Sequence, residues 1–300
     1  MKEKKRGMIL GSFVGDAMAL GTHWVYNTNV IDKKFGRVEQ YLDPLASYHK
    51  GKSKGDFTHY GDQALLLLES VCGSSGFDRM AFARAWQSFI DGYEGYRDKA
   101  TQTTIENMSS AGDLLESGSS SDDLGGAARI AAILYAHSQD LDTAIVAAKY
   151  QTALSHNNPE VLAVTDFFVR LVMRVMAGEK PAAIISDLIE NQFKNTNLAE
   201  SVEMGLASQG KDTRTVIAEF GQMCSVEAAT PGCIHLIVSY ENNFKEALVE
   251  NVMAGGDSAA RGMFVGMVLG AYLGIDAIPG EWLANLNARK RIEELLASLD

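Results

Sequence analysis

The sequence predicts an all-α protein, a compact multi-helix bundle, on three observations. Apolar residues recur with a period near 3.6 in segment after segment, strand signals are scarce, and only five prolines interrupt 300 residues. Taken in order, the apolar segment Gly11–Trp24 carries Gly11 and Gly15 four apart, the spacing of close helix packing. A second helix begins near Gly61-Asp62 and runs into four consecutive leucines. Stripes of one helical face follow at Met80–Ile90 and Ile130–Tyr135, then at Val161, Val164, Phe168, Leu171, Val172 and Val175. Further stripes run through Ala182–Ile189, Phe244–Met253 and Ile292–Leu299. Pro159, Pro181 and Pro279 stand where a helix can begin, because a first-turn residue needs no N–H. Cys233–Tyr240 is β-branched but does not alternate, and reads as a buried helix. Gly262, Gly266 and Gly270 form a second row spaced for tight packing.

Two stretches lack periodicity. Residues 36–60 carry Lys50, Lys52 and Lys54 among Gly and Ser, and 117–126 (SGSSSDDLGG) is a polar loop. Neither is long enough to divide the chain, so a single domain over 1–300 is expected.

A net charge of −11 argues against nucleic-acid partners, which need a Lys/Arg excess. Cys72, Cys224 and Cys233 form no disulfide framework and no pair has zinc-ligand spacing, which suits a reducing cytoplasm. The longest apolar stretch, Gly262–Ile275, is short of the ~20 residues that cross a bilayer. The N-terminus imitates a signal peptide, but Asp16 interrupts its apolar run before Ala17-Met18-Ala19. GxGxxG after a strand, HExxH and GxSxG are absent. Gly51-Lys52-Ser53 lacks the phosphate-loop glycine, with Ala46 in its place.

Three acids sit where glycine meets an apolar helix: Asp16, Asp62 and Asp257. Each has a structural explanation, Asp16 as a partner of a neighbouring helix terminus and the other two as N-caps. Together, two apolar helices that each begin Gly-Asp offer two carboxylates to one point, an arrangement that calls for a cation or a shared proton.

At these residues the sequence resembles the ADP-ribosylglycohydrolase superfamily. The GxxxGDAxG-like opening falls on Gly11–Ala19, with Ala19 in place of the last glycine. The TDDT motif falls on Tyr60-Gly61-Asp62-Gln63 and the GGDTDT motif on Gly255-Gly256-Asp257-Ser258-Ala259-Ala260. A glycine-rich loop entering an Arg-containing helix matches Leu124–Ile133, and a Thr-His segment matches Leu154–Glu160. The likeness spans nearly the whole chain and implies an orthogonal all-α bundle. It implies hydrolysis of a glycosidic bond at the ribose of an ADP-ribosyl or related compound, with a free ADP-ribose-like ligand or an ADP-ribosylated protein as partner.

The family's two magnesium ions draw on six positions, held here by Tyr60, Gly61, Asp62, Asp257, Ala259 and Ala260, and only Asp62 and Asp257 keep their chemistry. At most one Mg²⁺ is expected, on those two residues. His23 stands where a glutamate often follows the first motif. The pattern is similar to the branch with selenoprotein J and the J-type lens crystallins. By this resemblance Asp62 and Asp257 are the catalytic pair, stabiliser and general base. Asp16, His23, the Gly125-Gly126 backbone, Arg129 and His156 contact substrate. Arg129 is otherwise an exposed helix charge, and His156 a cap. His59, Trp24 and Tyr26 are either packing or further ligand contacts. The alternative function is a catalytically inactive ligand-binding or structural, crystallin-like protein.

Overall fold

In the computed structural model every residue is described except Met1, Ser75, Gly112 and Asp300, and the side chain of Ala111. The helices, in order, are α1 (Lys2–Ala19), α2 (Thr28–Phe35), α3 (His59–Gly73), α4 (Arg79–Asp91), α5 (Lys99–Ala111), α6 (Gly125–Ala128), α7 (Ala131–Ala136), α8 (Leu141–Ala153) and α9 (Pro159–Met176). They continue with α10 (Pro181–Asn191), α11 (Asn197–Ala207), α12 (Thr213–Phe220), α13 (Val226–Ser239), α14 (Phe244–Met253), α15 (Ser258–Leu273), a 3-10 turn at Ile275–Ala277, α16 (Gly280–Ala284) and α17 (Arg289–Leu299). No strand occurs among the described residues, and no described helix is long and apolar enough to cross a membrane.

The fold is organised around α1 and α15, which are buried on all sides over Gly7–Ala19 and Ser258–Ala271. They run antiparallel with glycine facing glycine at every turn. A Cβ on Gly7, Gly11 or Gly15 would stand 2.3, 2.2 or 2.1 Å from the carbonyl oxygen of Gly270, Gly266 or Gly262. Only hydrogen fits there, which explains both glycine rows. Phe168 of α9 closes on Phe264 of α15 with ring centroids 4.1 Å apart.

Local signals behave as their chemistry requires. Pro159 and Pro181 open α9 and α10, and Asn158 caps α9 through its side chain. Cys233–Tyr240 lies in buried α13 but for Tyr240, its C-cap. The start of α3 differs from the sequence expectation: Thr58 is the cap, its Oγ1 accepting from the Tyr60 N–H, and Asp62 lies inside the first turn. Asp257 does hold the N-cap position of α15, yet its side chain makes no capping bond. Its oxygens are spent elsewhere.

Candidate functional site

Three isolated bridges between loops build the site. Val25 pairs with Gly256, Asp123 with Ser225, and Ser119 with His156. The first joins the end of α1 to the start of α15 through Trp24 N–H to Gly256 O (2.9 Å) and Gly256 N–H to Val25 O (3.0 Å). It requires Gly255 and Gly256 at φ +68° and +69°, where a Cβ would also strike Val25 or Gln222. Trp24 too is left-handed, at φ +63°, a conformation a bulky residue adopts only when its surroundings impose it. The second bridge sets Asp123 beside Cys224 through Leu124 N–H to Cys224 O (3.0 Å). The third carries His156 to the same loop.

Asp257 is at the centre, with its side chain 1% exposed. Oδ1 lies 3.2 Å from His23 Nε2, and Oδ2 accepts from Trp24 Nε1 at 3.1 Å and Tyr60 Oη at 3.2 Å. The same Tyr60 hydroxyl lies 3.2 Å from Asp123 Oδ2. One phenolic hydroxyl therefore bridges the two carboxyl groups. Cys224 completes a group in which one atom each of Asp123, Cys224 and Asp257 lies within 4.8 Å of the others. Asp123 Oδ1 accepts the Gly125 N–H at 2.5 Å and stands 4.0 Å from His156 Nε2, a buried nitrogen with no hydrogen-bond partner.

Histidines and aromatic rings enclose these acids. His23 Nδ1 lies 3.1 Å from His49 Nε2, so the order Asp257, His23, His49 is satisfied by neutral rings that each pass one N–H inward. His59 lies tilted against Tyr60, ring centroids 3.9 Å apart, and pairs with Asp98 at 3.2 Å. Trp24, Tyr48 and Tyr96 meet edge to face at 4.8–5.4 Å, with Tyr48 the most exposed.

The electrostatics divide the two carboxyls. Burial, with the charge of Asp257, pushes Asp123 well above the carboxylate range. Burial works the same way on Asp257, but the His23 imidazole and the Trp24 N–H outweigh it and hold this group low. Burial keeps His23 neutral and brings His156 down to about 4. It also raises the Cys224 thiol, an effect the two acids reinforce.

The residues named from sequence fall into three groups. His23, His156 and Asp257 lie within this cluster, and Gly125 and Gly126 shape it. A Cβ at Gly125 would stand 2.2 Å from the Tyr60 ring and one at Gly126 2.6 Å from His156 Nδ1. Asp62 goes elsewhere: it accepts from Lys52 Nζ at 2.5 Å and from the Tyr93 hydroxyl, and no hydrogen bond or ion pair among the described residues joins it to Asp257. Asp16 is wholly buried, its oxygens taken by the Thr58 N–H (2.8 Å) and hydroxyl (2.5 Å). That is the helix-terminus role. Arg129 is not an exposed charge but a buried one, spent on Gln63, Gln151 and Ser155.

Sequence reasoning missed Asp123, Cys224 and Arg261. Asp123 carried one signal, an acid directly before the Leu-Gly-Gly turn. Cys224 carried none. Arg261 follows the third motif and is buried on Asn251 and the Gly255 carbonyl, fixing the loop that presents Asp257.

The family's magnesium pair does not fit these residues. Ala259 and Ala260 have no ligand atom, and the Lys52 ammonium occupies Asp62. A groove of about 670 Å³ bordered by Pro159, Met204, Phe220 and Glu227 is lined by none of Asp123, His156, Cys224 and Asp257.

Comparison with known proteins agrees with this architecture. The ADP-ribosylglycohydrolase family model matches residues 1–300. The chain is 21% identical to crystallin J1A of Tripedalia cystophora, covering 99% of this chain and 96% of that protein. Over 62 residues, 19% of the chain, it is 37% identical to the ADP-ribosyl-[dinitrogen reductase] glycohydrolase of Rhodospirillum rubrum. Among solved structures, a chain described as an ADP-ribosylglycohydrolase-related protein complex superposes with a TM-score of 0.80 at 21% identity, covering 100% of this chain and 98% of that one. The chain belongs to the ADP-ribosylglycohydrolase family.

Proposed function

We propose that the protein is a hydrolase of the glycosidic bond at the ribose of an ADP-ribosyl compound, working through Asp123 and Asp257 without the family's magnesium pair. The observation that carries this reading is the Tyr60 hydroxyl bridging those two carboxyls. Glycosidic cleavage passes through an oxocarbenium-like state, and two carboxyls a few ångströms apart supply what it needs. Asp257, kept ionised by His23 and Trp24, stabilises positive charge at the anomeric carbon. Asp123, whose side chain is 13% exposed and the more accessible of the two, donates the proton to the leaving group and afterwards takes one from water. Asp62 does not join this chemistry. Its ion pair with Lys52 tethers the segment whose Tyr48 and His49 cover Trp24.

The ADP-ribosyl substrate class rests on family membership and on the name of the R. rubrum relative. The test is chromatographic measurement of ADP-ribose released from an ADP-ribosylated peptide in EDTA, with calorimetric titration of ADP-ribose alongside. Release in EDTA, lost in Asp257→Asn, supports the reading. Neither release nor ADP-ribose binding contradicts it and favours a structural role like that of the crystallin relatives.

A further inference from the structure

Asp123, Cys224 and Asp257 come from three segments far apart in sequence, so no local spacing announces them. We infer that these three residues, with His156, form a binding site for a single thiophilic divalent cation of the zinc class, distinct in ligand chemistry from a magnesium pair.

Three observations converge. The donor set is two carboxylates, a thiol and an imidazole, which is zinc chemistry rather than the all-oxygen shell magnesium takes. One ligand atom each of Asp123, Cys224 and Asp257 already lies within 4.8 Å of the others, and His156 Nε2 is 4.0 Å from Asp123 Oδ1. Around a tetrahedral zinc with bonds of about 2.0–2.3 Å, ligand atoms stand about 3.3–3.8 Å apart, so Asp123, Cys224 and Asp257 close on an ion with side-chain adjustments of about an ångström and the His156 ring turns in beside Asp123.

The third observation is His156 itself. Its ring is 2% exposed and its Nε2 has no partner, a state that buried nitrogens avoid. Its Nδ1 is 2.9 Å from Ser155 Oγ, which in turn accepts from Arg129 Nη2 at 2.5 Å. That outer contact fixes the ring and leaves Nε2 beside Asp123, in the way a metal-ligating histidine is held through its other nitrogen. Gly126 has no Cβ that would push the ring away. The remaining bonds of the acids, from His23, Trp24, Tyr60 and Gly125, are the outer contacts such a site needs.

The inference does not depend on the hydrolase reading. Binding without turnover upholds it, and turnover without binding overturns it alone. If both hold, Zn²⁺ competes with the proton on Asp123 and inhibits release of ADP-ribose.

The test uses metals alone on the purified chain. Zn²⁺ is expected to bind one per chain and at least tenfold more tightly than Mg²⁺, and to raise the melting temperature. Cd²⁺ is expected to produce a thiolate charge-transfer band that Cys224→Ser abolishes, and Co²⁺ a spectrum of tetrahedral intensity. His156→Gln weakens Zn²⁺ binding at least tenfold. If Cys224→Ser does not fold, Cys72→Ser and Cys233→Ser decide by elimination, because the band must survive in both. No band, a band that persists in Cys224→Ser or disappears in either other cysteine variant, or Mg²⁺ binding equal to Zn²⁺ overturns the proposal.

Discussion

The Tyr60 hydroxyl donates to Asp257 Oδ2 across 3.2 Å, from a position where the family motif has a threonine. A phenol is long enough to span to Asp123 as well, and this exchange recruits a second acid into the site from a different loop. Tyr60→Phe is expected to leave two buried acids without their common donor. It should cost about 1–3 kcal/mol, the penalty for stranding buried polar groups. Chemical denaturation of the two proteins measures it, and unchanged stability would show that the bridge is idle.

The carboxyl pair separates from Asp62 by substitution. Asp123→Asn and Asp257→Asn should each lower turnover by about 10²–10⁴, the usual worth of a positioned acid or base. Asp62→Asn should keep kcat within about tenfold and act mainly on KM, by loosening the segment that Lys52 tethers. Steady-state kinetics on an ADP-ribosylated peptide distinguishes these. Loss of kcat in Asp62→Asn equal to that in Asp257→Asn would place Asp62 in the chemistry.

The glycine rows give a prediction about stability alone. Gly11→Ala or Gly266→Ala puts a methyl group about 2 Å from a backbone oxygen of the facing helix, which must then move. Losses of about 1–3 kcal/mol or more are expected from such overpacking. Gly73→Ala, at the open end of α3 with nothing within 4 Å, should be neutral or mildly stabilising. Urea midpoints for the three variants check this, and equal effects would remove the case for close packing of α1 and α15.

Asp16 predicts a pH dependence. Burial raises its pKa to about 6, against the opposing hydrogen bonds of Thr58, while the unfolded chain titrates near the ordinary 3.8. A group whose folded pKa is raised holds its proton in the folded state, so its contribution is greatest below pH 3.8 and is lost as pH rises through about 6. The difference corresponds to about 3 kcal/mol. Relative to Asp16→Asn, the wild-type protein should therefore be roughly 2 kcal/mol more stable at pH 4.5 than at pH 7.5. Denaturation of both proteins at the two pH values measures it, and a constant difference would contradict the assignment.

Much of the fold was legible in the sequence because its determinants are local. Periodic apolar stripes, Pro159 and Pro181 at helix starts, and paired glycine rows each act within a few turns of chain. The site was legible only in part. Asp257 and His23 could be named because they sit in a motif, but their partners are set by loop pairing. Asp123 meets Asp257 because residues 122–124 pair with 224–226 and Asp257 N–H reaches Gln222 O at 2.8 Å. No spacing in the chain encodes that. The partner of Asp62 was hidden for the same reason: Lys52, ten residues upstream in an aperiodic stretch, forms an ion pair with it.

The most direct test of the central claim is a double-mutant cycle on turnover with Asp123→Asn and Asp257→Asn. Two acids that serve one reaction through one bridging hydroxyl lose activity as a unit, so the double variant should be no slower than the worse single variant. Losses that simply multiply, or full activity in either single variant, would contradict the pairing.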